Sequence, residues 1–305
     1  MSESKQPPVI WAIGGGKGGV GKSILSTLIA LNLAKNAQKT ILMDADFGGA
    51  NLHTLLGIKN VPRTINDFIQ KKYKSLQEIC IDMEIDNLQV LSGASDILSL
   101  ANLKFAQKTK IIQGISQLDA DHVIIDLGAG TSFNVLDFFL IADNKIVVLT
   151  PQPVSIQNAY AFVRNGVYRK LSRLTSQKTS LLAMVQSAMD PNNDLKVKTV
   201  KALLKRVELE GSREDAALLR REIEDIQPIL ITNKTRNSKD KAAARIIQLL
   251  AEKYLMIQPV SMGGIAHDTH INAMVSRMIP LMHIEDSNGM VQSVKEIAER
   301  ISSAP

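Results

Sequence analysis

The sequence predicts an α/β fold: a doubly wound, mostly parallel sheet carrying a charged helical insertion. Three observations predict it. Short β-branched runs alternate with longer helical stretches along the 305 residues, the pattern of parallel strands joined by crossover helices. Several runs are almost continuously apolar, as expected of strands covered on both faces. A glycine-rich stretch, GGGKGGVGKS over Gly14–Ser23, separates the first strand from the first helix.

The elements follow in order. Val9–Ile13 is the first expected strand. Ser23–Asn36 is the helix after it, with Leu25, Leu28, Ile29, Leu31 and Leu33 supplying a buried surface. Further strands are expected at Thr40–Asp44, Leu88–Leu91, His122–Asp126, Lys145–Thr150, Thr179–Val185, Pro228–Thr232 and Met256–Val260. Asp190–Asp225 stands apart as a highly charged stretch of two polar helices, Leu195–Glu208 and Arg213–Asp225. Gly211 and Ser212 break it, and Ser212 reads as a helix cap. A solvated helical hairpin is the plain reading. Lys198, Lys201 and Lys205, at i, i+3, i+7 spacing, also offer a face for docking phosphate or lipid.

Composition narrows the function classes. An apolar share of 45% and a charged share of 22% suit a soluble globular chain that builds its core without staples. The single cysteine, Cys80, excludes an intrachain disulfide framework and a four-cysteine metal site within one chain. Met1–Pro8 lacks the charged-then-apolar layout of a secretion signal, and no apolar run approaches the roughly 18 residues of a spanning helix. A cytoplasmic protein is expected. The net charge of +6 is mild for this length and reads as a solvated surface before it reads as a nucleic-acid or lipid footprint.

Gly16–Ser23 matches G-x-x-x-x-G-K-[ST], and the chemistry needs each part. Gly16, Gly18, Gly19 and Gly21, with Val20 between them, let the backbone turn and aim amide N–H groups at phosphate oxygens. The following helix adds its positive end. Lys22 reaches the β- and γ-phosphates, and the Ser23 hydroxyl ligates Mg²⁺. ATP and Mg²⁺ are therefore the expected ligands. Asp126, after four apolar-strand residues in HVIID, forms a Walker B arrangement that contacts the ion directly or through water. Gly128 and Gly130 follow as the hinge of a segment able to sense the γ-phosphate. Asp44 and Asp46 close the second strand, where ligand-binding groups gather in parallel sheets, and Asp44 reads as a tether for the strand end. One domain is expected over 9–305, after a flexible tail over 1–8 and with the helical insertion at about 190–225.

The second lysine in KGGVGKS, Lys17, resembles the deviant Walker A signature of the MinD/ParA family of ATPases. MDADFGGANLHTLLG, IIDLGAG and TPQPVSIQNAYAFVR look most like its FlhG group (also YlxH or FleN), regulators of flagellar number and site. The resemblance implies that Lys17 acts across an ATP-dependent homodimer, and that Asp46 helps hold Mg²⁺ and orient the attacking water. It implies an adenine contact for Asn233 in ILITNK, and places Pro259 in the segment beside the base. It also implies a hydrolytic switch that positions or counts a cellular structure through a flagellar or regulatory protein partner. Gln152 and Asn158 depart from the acids common in that family. Met290–Ile301 lacks the aromatics of a membrane anchor and reads as a closing helix, which leaves at most transient contact with the inner membrane. Two rivals remain: a ParA-type DNA partition ATPase, and a metabolic enzyme on the same fold, such as a biotin-synthesis ligase or a reductase iron protein. The reductase would need a cysteine pair.

Overall fold

The structure, a computed structural model, describes residues 6–93, 103–190 and 197–303. Most of the tail over 1–8, the first residues of the expected helix Leu195–Glu208 and the final two residues of the chain lie outside the described residues. In chain order, β1 (Val9–Gly14) leads through the glycine-rich loop into α1 (Lys22–Lys35). β2 (Thr40–Ala45), α2 (Leu52–Leu55), α3 (Ile65–Ile69), β3 (Ile81–Asp82) and β4 (Leu88–Leu91) follow. Next come α4 (Phe105–Ile115), β5 (His122–Leu127), α5 (Phe133–Leu140), β6 (Asn144–Leu149) and α6 (Pro153–Leu174). The chain continues through α7 (Thr179–Met189), α8 (Val200–Glu210), α9 (Arg213–Glu224) and β7 (Ile229–Thr235). It ends with α10 (Ala243–Leu255), β8 (Val260–Ala266), α11 (Thr269–Ser276) and α12 (Gly289–Ser302).

The eight strands form one sheet in the order β3-β4-β2-β5-β1-β6-β7-β8. All pairings are parallel except β3 with β4 at one edge. The central strands β2 and β5 are buried along their whole length, which is why they read as almost continuous apolar runs. Helices cover both faces. α1, α11 and α12 pack on one side around Trp11, Ile13, Leu42 and Ile124. α4 to α10 pack on the other around Ala12, Met43, Val123 and Phe162.

Two expected strands differ. Thr179–Val185 is part of helix α7. Its buried residues Leu181, Met184, Val185 and Ala188 recur at helical spacing, and the stretch is rich in Ala, Leu and Met, which favour helix. Met256–Val260 is mostly a connection: Met256 closes α10 in a left-handed conformation, and β8 starts only at Val260. The charged stretch differs too. α8 and α9 are not a solvated hairpin. Val200, Leu203, Val207, Leu219 and Ile223 are buried in the main core, leaving only the outer faces to the charges. Ser212 does cap α9, accepting from the Asp215 N–H. Thr199 caps α8, so Lys198 precedes the helix and does not share a face with Lys201 and Lys205. α12 spends its apolar stripe, Met290, Val294, Ile297 and Ile301, inside the core. Among the described residues no helix is long and apolar enough to cross a membrane.

Candidate functional site

The glycine-rich loop lies at the carboxyl end of β1, in the middle of the sheet, flanked by the carboxyl ends of β5 and β6. Its base is tightly packed. A β-carbon on Gly14 would lie 2.6 Å from the Phe162 ring, and one on Gly16 only 2.0 Å from the Asn158 carbonyl oxygen of α6. Its rim is open, since β-carbons on Gly18 and Gly19 would meet nothing within 4 Å. Gly19 and Gly21 have φ of +77° and +98°, values that exclude most side chains at little cost to glycine. α1 then begins with no side-chain cap and no acidic residue in its first turn. Its leading amides and positive end are thereby kept for an anion.

The two lysines face different surroundings. Lys22 is 7% exposed and lies inside the loop, close to Gly15. Lys17 stands on the exposed rim. Beside Gly19, Lys22 and Ser23 opens a cavity of about 320 Å³, walled by Leu55, Val275 and Met278, of a size that small-molecule sites use. The cradle fits a phosphate chain, and the cavity beside it has room for more of a nucleotide.

The acids converge on the same end of the sheet. Asp44 and Asp126 are register partners on adjacent parallel strands. Asp44 accepts from the N–H groups of Asp46 (3.0 Å), Asn51 (3.1 Å) and Leu52 (3.1 Å), so it ties down the turn after β2. Asp126 accepts from the Ser26 hydroxyl at 2.9 Å and from Ser23. Burial pushes the Asp44 carboxyl up to about 7, reinforced by the charge of Asp126. Burial likewise raises Asp126 to about 6, against the pull of Ser23, Ser26 and Lys22. Asp46 leans across to Gly128, where an added β-carbon would come within 2.9 Å of its Oδ1. Buried carboxylates crowded in this way are costly without a cation. The oxygen donors Ser23, Asp46 and Asp126 suit Mg²⁺, which takes one or two carboxylates and completes its shell with phosphate and water. Among the described residues no three His, Cys, Asp or Glu side chains gather into a group that could hold a metal ion by themselves.

Residues 8–188 match the family model described as ParA: NUBPL iron-transfer P-loop NTPase. The chain belongs to the ParA/MinD family of P-loop NTPases. Among curated members it is 32% identical to the antiactivator FleN of Pseudomonas aeruginosa over 163 residues, 53% of this chain and 57% of that one. It is 32% identical to the flagellum site-determining protein YlxH of Helicobacter pylori over 164 residues, 50% of this chain and 52% of that one. These matches span little more than half the length of the curated relatives. Among solved structures, the septum site-determining protein MinD of Pyrococcus horikoshii, complexed with Mg-ADP, superposes with a TM-score of 0.65 at 18% identity. It covers 97% of this chain and 96% of that one, and the likeness is one of fold.

Within this ParA/MinD site one sequence expectation, that for Pro259, changes, and Asn233 gains a structural role. Pro259 lies at the amino end of β8, where Val260 pairs with Ile229 and its N–H donates to the Pro228 carbonyl. That is the end of the sheet away from the loop. The segment beside the carboxyl end of β8 is His267–Asp268, with Asp268 capping α11. Asn233 is 3% exposed. Its amide Nδ2 donates to the Val20 carbonyl at 2.9 Å, and its Oδ1 accepts from the Lys234 N–H. It therefore braces the loop at Val20. Two supporting residues escaped the sequence reading. Ser26 binds Asp126, and the sequence signal was its place one helical turn after Ser23. Lys234 reaches from β7 to the Gly19 carbonyl at 2.9 Å, a contact that no local pattern announces.

Proposed function

We propose that the chain is a dimerising, Mg²⁺-dependent ATPase that works as a switch in placing or counting a cellular structure, in the manner of its FleN, YlxH and MinD relatives. One observation carries the reading: a single phosphate loop holds two lysines with opposite exposure, Lys22 buried and Lys17 on the open rim. Lys22 and the first amides of α1 bind the nucleotide phosphates in cis. Lys17, exposed on the rim, would reach the phosphates held by a second copy. Ser23, Asp46 and Asp126 would hold Mg²⁺, which supplies charge neutralisation at the transferring phosphoryl group. Asp46, at the mouth beside Gly128, orients the attacking water. Closing the dimer buries that water and commits the site.

The iron-transfer label of the matched family model is a poor guide to this chain. Cluster or iron transfer through cysteine needs thiolates, and the one cysteine, Cys80, is buried, which pushes its thiol up to about 12. The net charge of +6 keeps DNA partition as a second reading.

Steady-state hydrolysis of ATP by the purified chain tests these readings, measured alone, with anionic liposomes and with duplex DNA. The switch reading expects Mg²⁺-dependent turnover that Lys22→Ala abolishes. Stimulation by DNA that fades steeply with salt would favour partition. No turnover under any of these conditions, with no MgATP binding, would remove the ATPase reading.

A further inference from the structure

On the sheet face opposite α1, the helices α4, α5, α6 and α7 enclose a groove of about 660 Å³. Its composition is unusual for a solvated surface. Phe105 and Phe133 stand at its lips 78% and 61% exposed, while Ile112, Leu182 and Met189 line it. Large aromatic side chains left so open are the anchors that interfaces use.

Its charge is one-sided. Among the lining residues are three cations, Lys108, Arg169 and Arg173, and one carboxylate, Asp137. Asp137 is already saturated. It pairs with Lys108, and both its oxygens accept from Arg169 at 2.8 Å. The Arg169 guanidinium also stacks over the Phe133 ring at 4.4 Å, which holds that lip in place. Arg173 is a surplus cation. It sits 3.7 Å from Asp137 with 48% of its side chain exposed.

We propose that this groove docks an acidic amphipathic helix from a protein partner. Apolar residues of that helix seat between Phe105 and Phe133, and a carboxylate on an adjacent turn pairs with Arg173. The shape is that of a helix-in-groove site, and a guanidinium with spare donors selects carboxylate. A recessed apolar floor does not suit a flat bilayer. A net lining charge of two, concentrated at one half-exposed arginine, does not suit a run of phosphates, which calls for a stripe of cations. The inference stands on the groove alone and does not depend on the nucleotide site.

The test is fluorescence anisotropy on the full chain. The probe is a labelled synthetic peptide of about 14 residues, long enough for a marginal helix, with Leu and Ile on one face and Glu on its flanks. A composition-matched scramble, a Lys-for-Glu version and phosphatidylglycerol vesicles serve as comparisons. The expected result is binding of the acidic amphipathic peptide alone, weakened about tenfold or more by Phe133→Ala and by Arg173→Glu. Phe133 is 61% exposed and Arg173 48%, and thermal melts of the two variants check that each stays folded at the assay temperature. Equal binding of the scramble, unchanged affinity in both variants, binding to vesicles only, or no binding would each overturn the proposal.

Discussion

Gly16 packs against the backbone of Asn158 so closely that a β-carbon would fall 2.0 Å from its carbonyl oxygen. The phosphate loop is thus held by α6 as well as by the strand it leaves. Backbone cannot step aside as a side-chain end can, so Gly16→Ala should cost about 2 kcal/mol or more and displace the loop. Gly18→Ala meets open space and should leave the melting temperature of the free protein unchanged. Thermal melts of both variants check the contrast, and equal stability would contradict it.

Asn233 is expected to support every nucleotide alike. Asn233→Ala removes the donor to Val20 and leaves a buried carbonyl unpaired, a loss of about 1–3 kcal/mol. Affinity for fluorescent ATP and GTP analogues should fall by the same factor. A loss confined to the adenine nucleotide would return Asn233 to the base-reading role that the sequence suggests.

Asp126→Asn separates stability from metal binding. It removes a buried charge beside Asp44, so the nucleotide-free protein should melt about 2–4 °C higher for each kcal/mol gained. The same variant should lose most of the added stability that Mg-ADP confers on the parent. A lower melting temperature without ligand would show that the carboxylate is already well compensated.

Asp137 gives the fold a dependence on acid. Burial raises its carboxyl, but the bonds from Arg169 and Lys108 outweigh burial and hold it below the usual range. A depressed carboxyl stabilises the fold above its unfolded value near 3.8, and that contribution fades as pH falls through the folded value. Asp137→Asn leaves Lys108 buried without its partner and should cost about 3–5 kcal/mol near neutrality. The gap between parent and variant in urea unfolding should be constant from pH 7 to 5 and narrow below about 4.

The legible parts of this molecule were those where local pattern and tertiary role coincide. The strand, glycine loop and helix from Val9 to Lys35 carry period, turn chemistry and motif together. Asp126 could be placed because a fully buried strand runs straight into it. Thr179–Val185 misled because a short apolar run looks alike as strand or helix, and only Ala188, one turn further, completes the helical face. Pro259 is a different case, one of strand boundary. A strand expected over Met256–Val260 puts Pro259 at its carboxyl end, whereas β8 starts at Val260 and leaves Pro259 at the amino end. The contacts of Lys234 and the groove between α4 and α7 join segments far apart in sequence, and neither leaves a mark in any single window.

The exposed Lys17 and the buried Lys22 make the central claim directly measurable. The measurement is the mass of the protein by light scattering with MgATP, in an Asp46→Ala background where hydrolysis is suppressed. The account predicts a dimer for Asp46→Ala alone, and a monomer that still binds ATP once Lys17→Ala is added. A dimer that persists without Lys17, or a parent that stays monomeric with ATP bound, would contradict it.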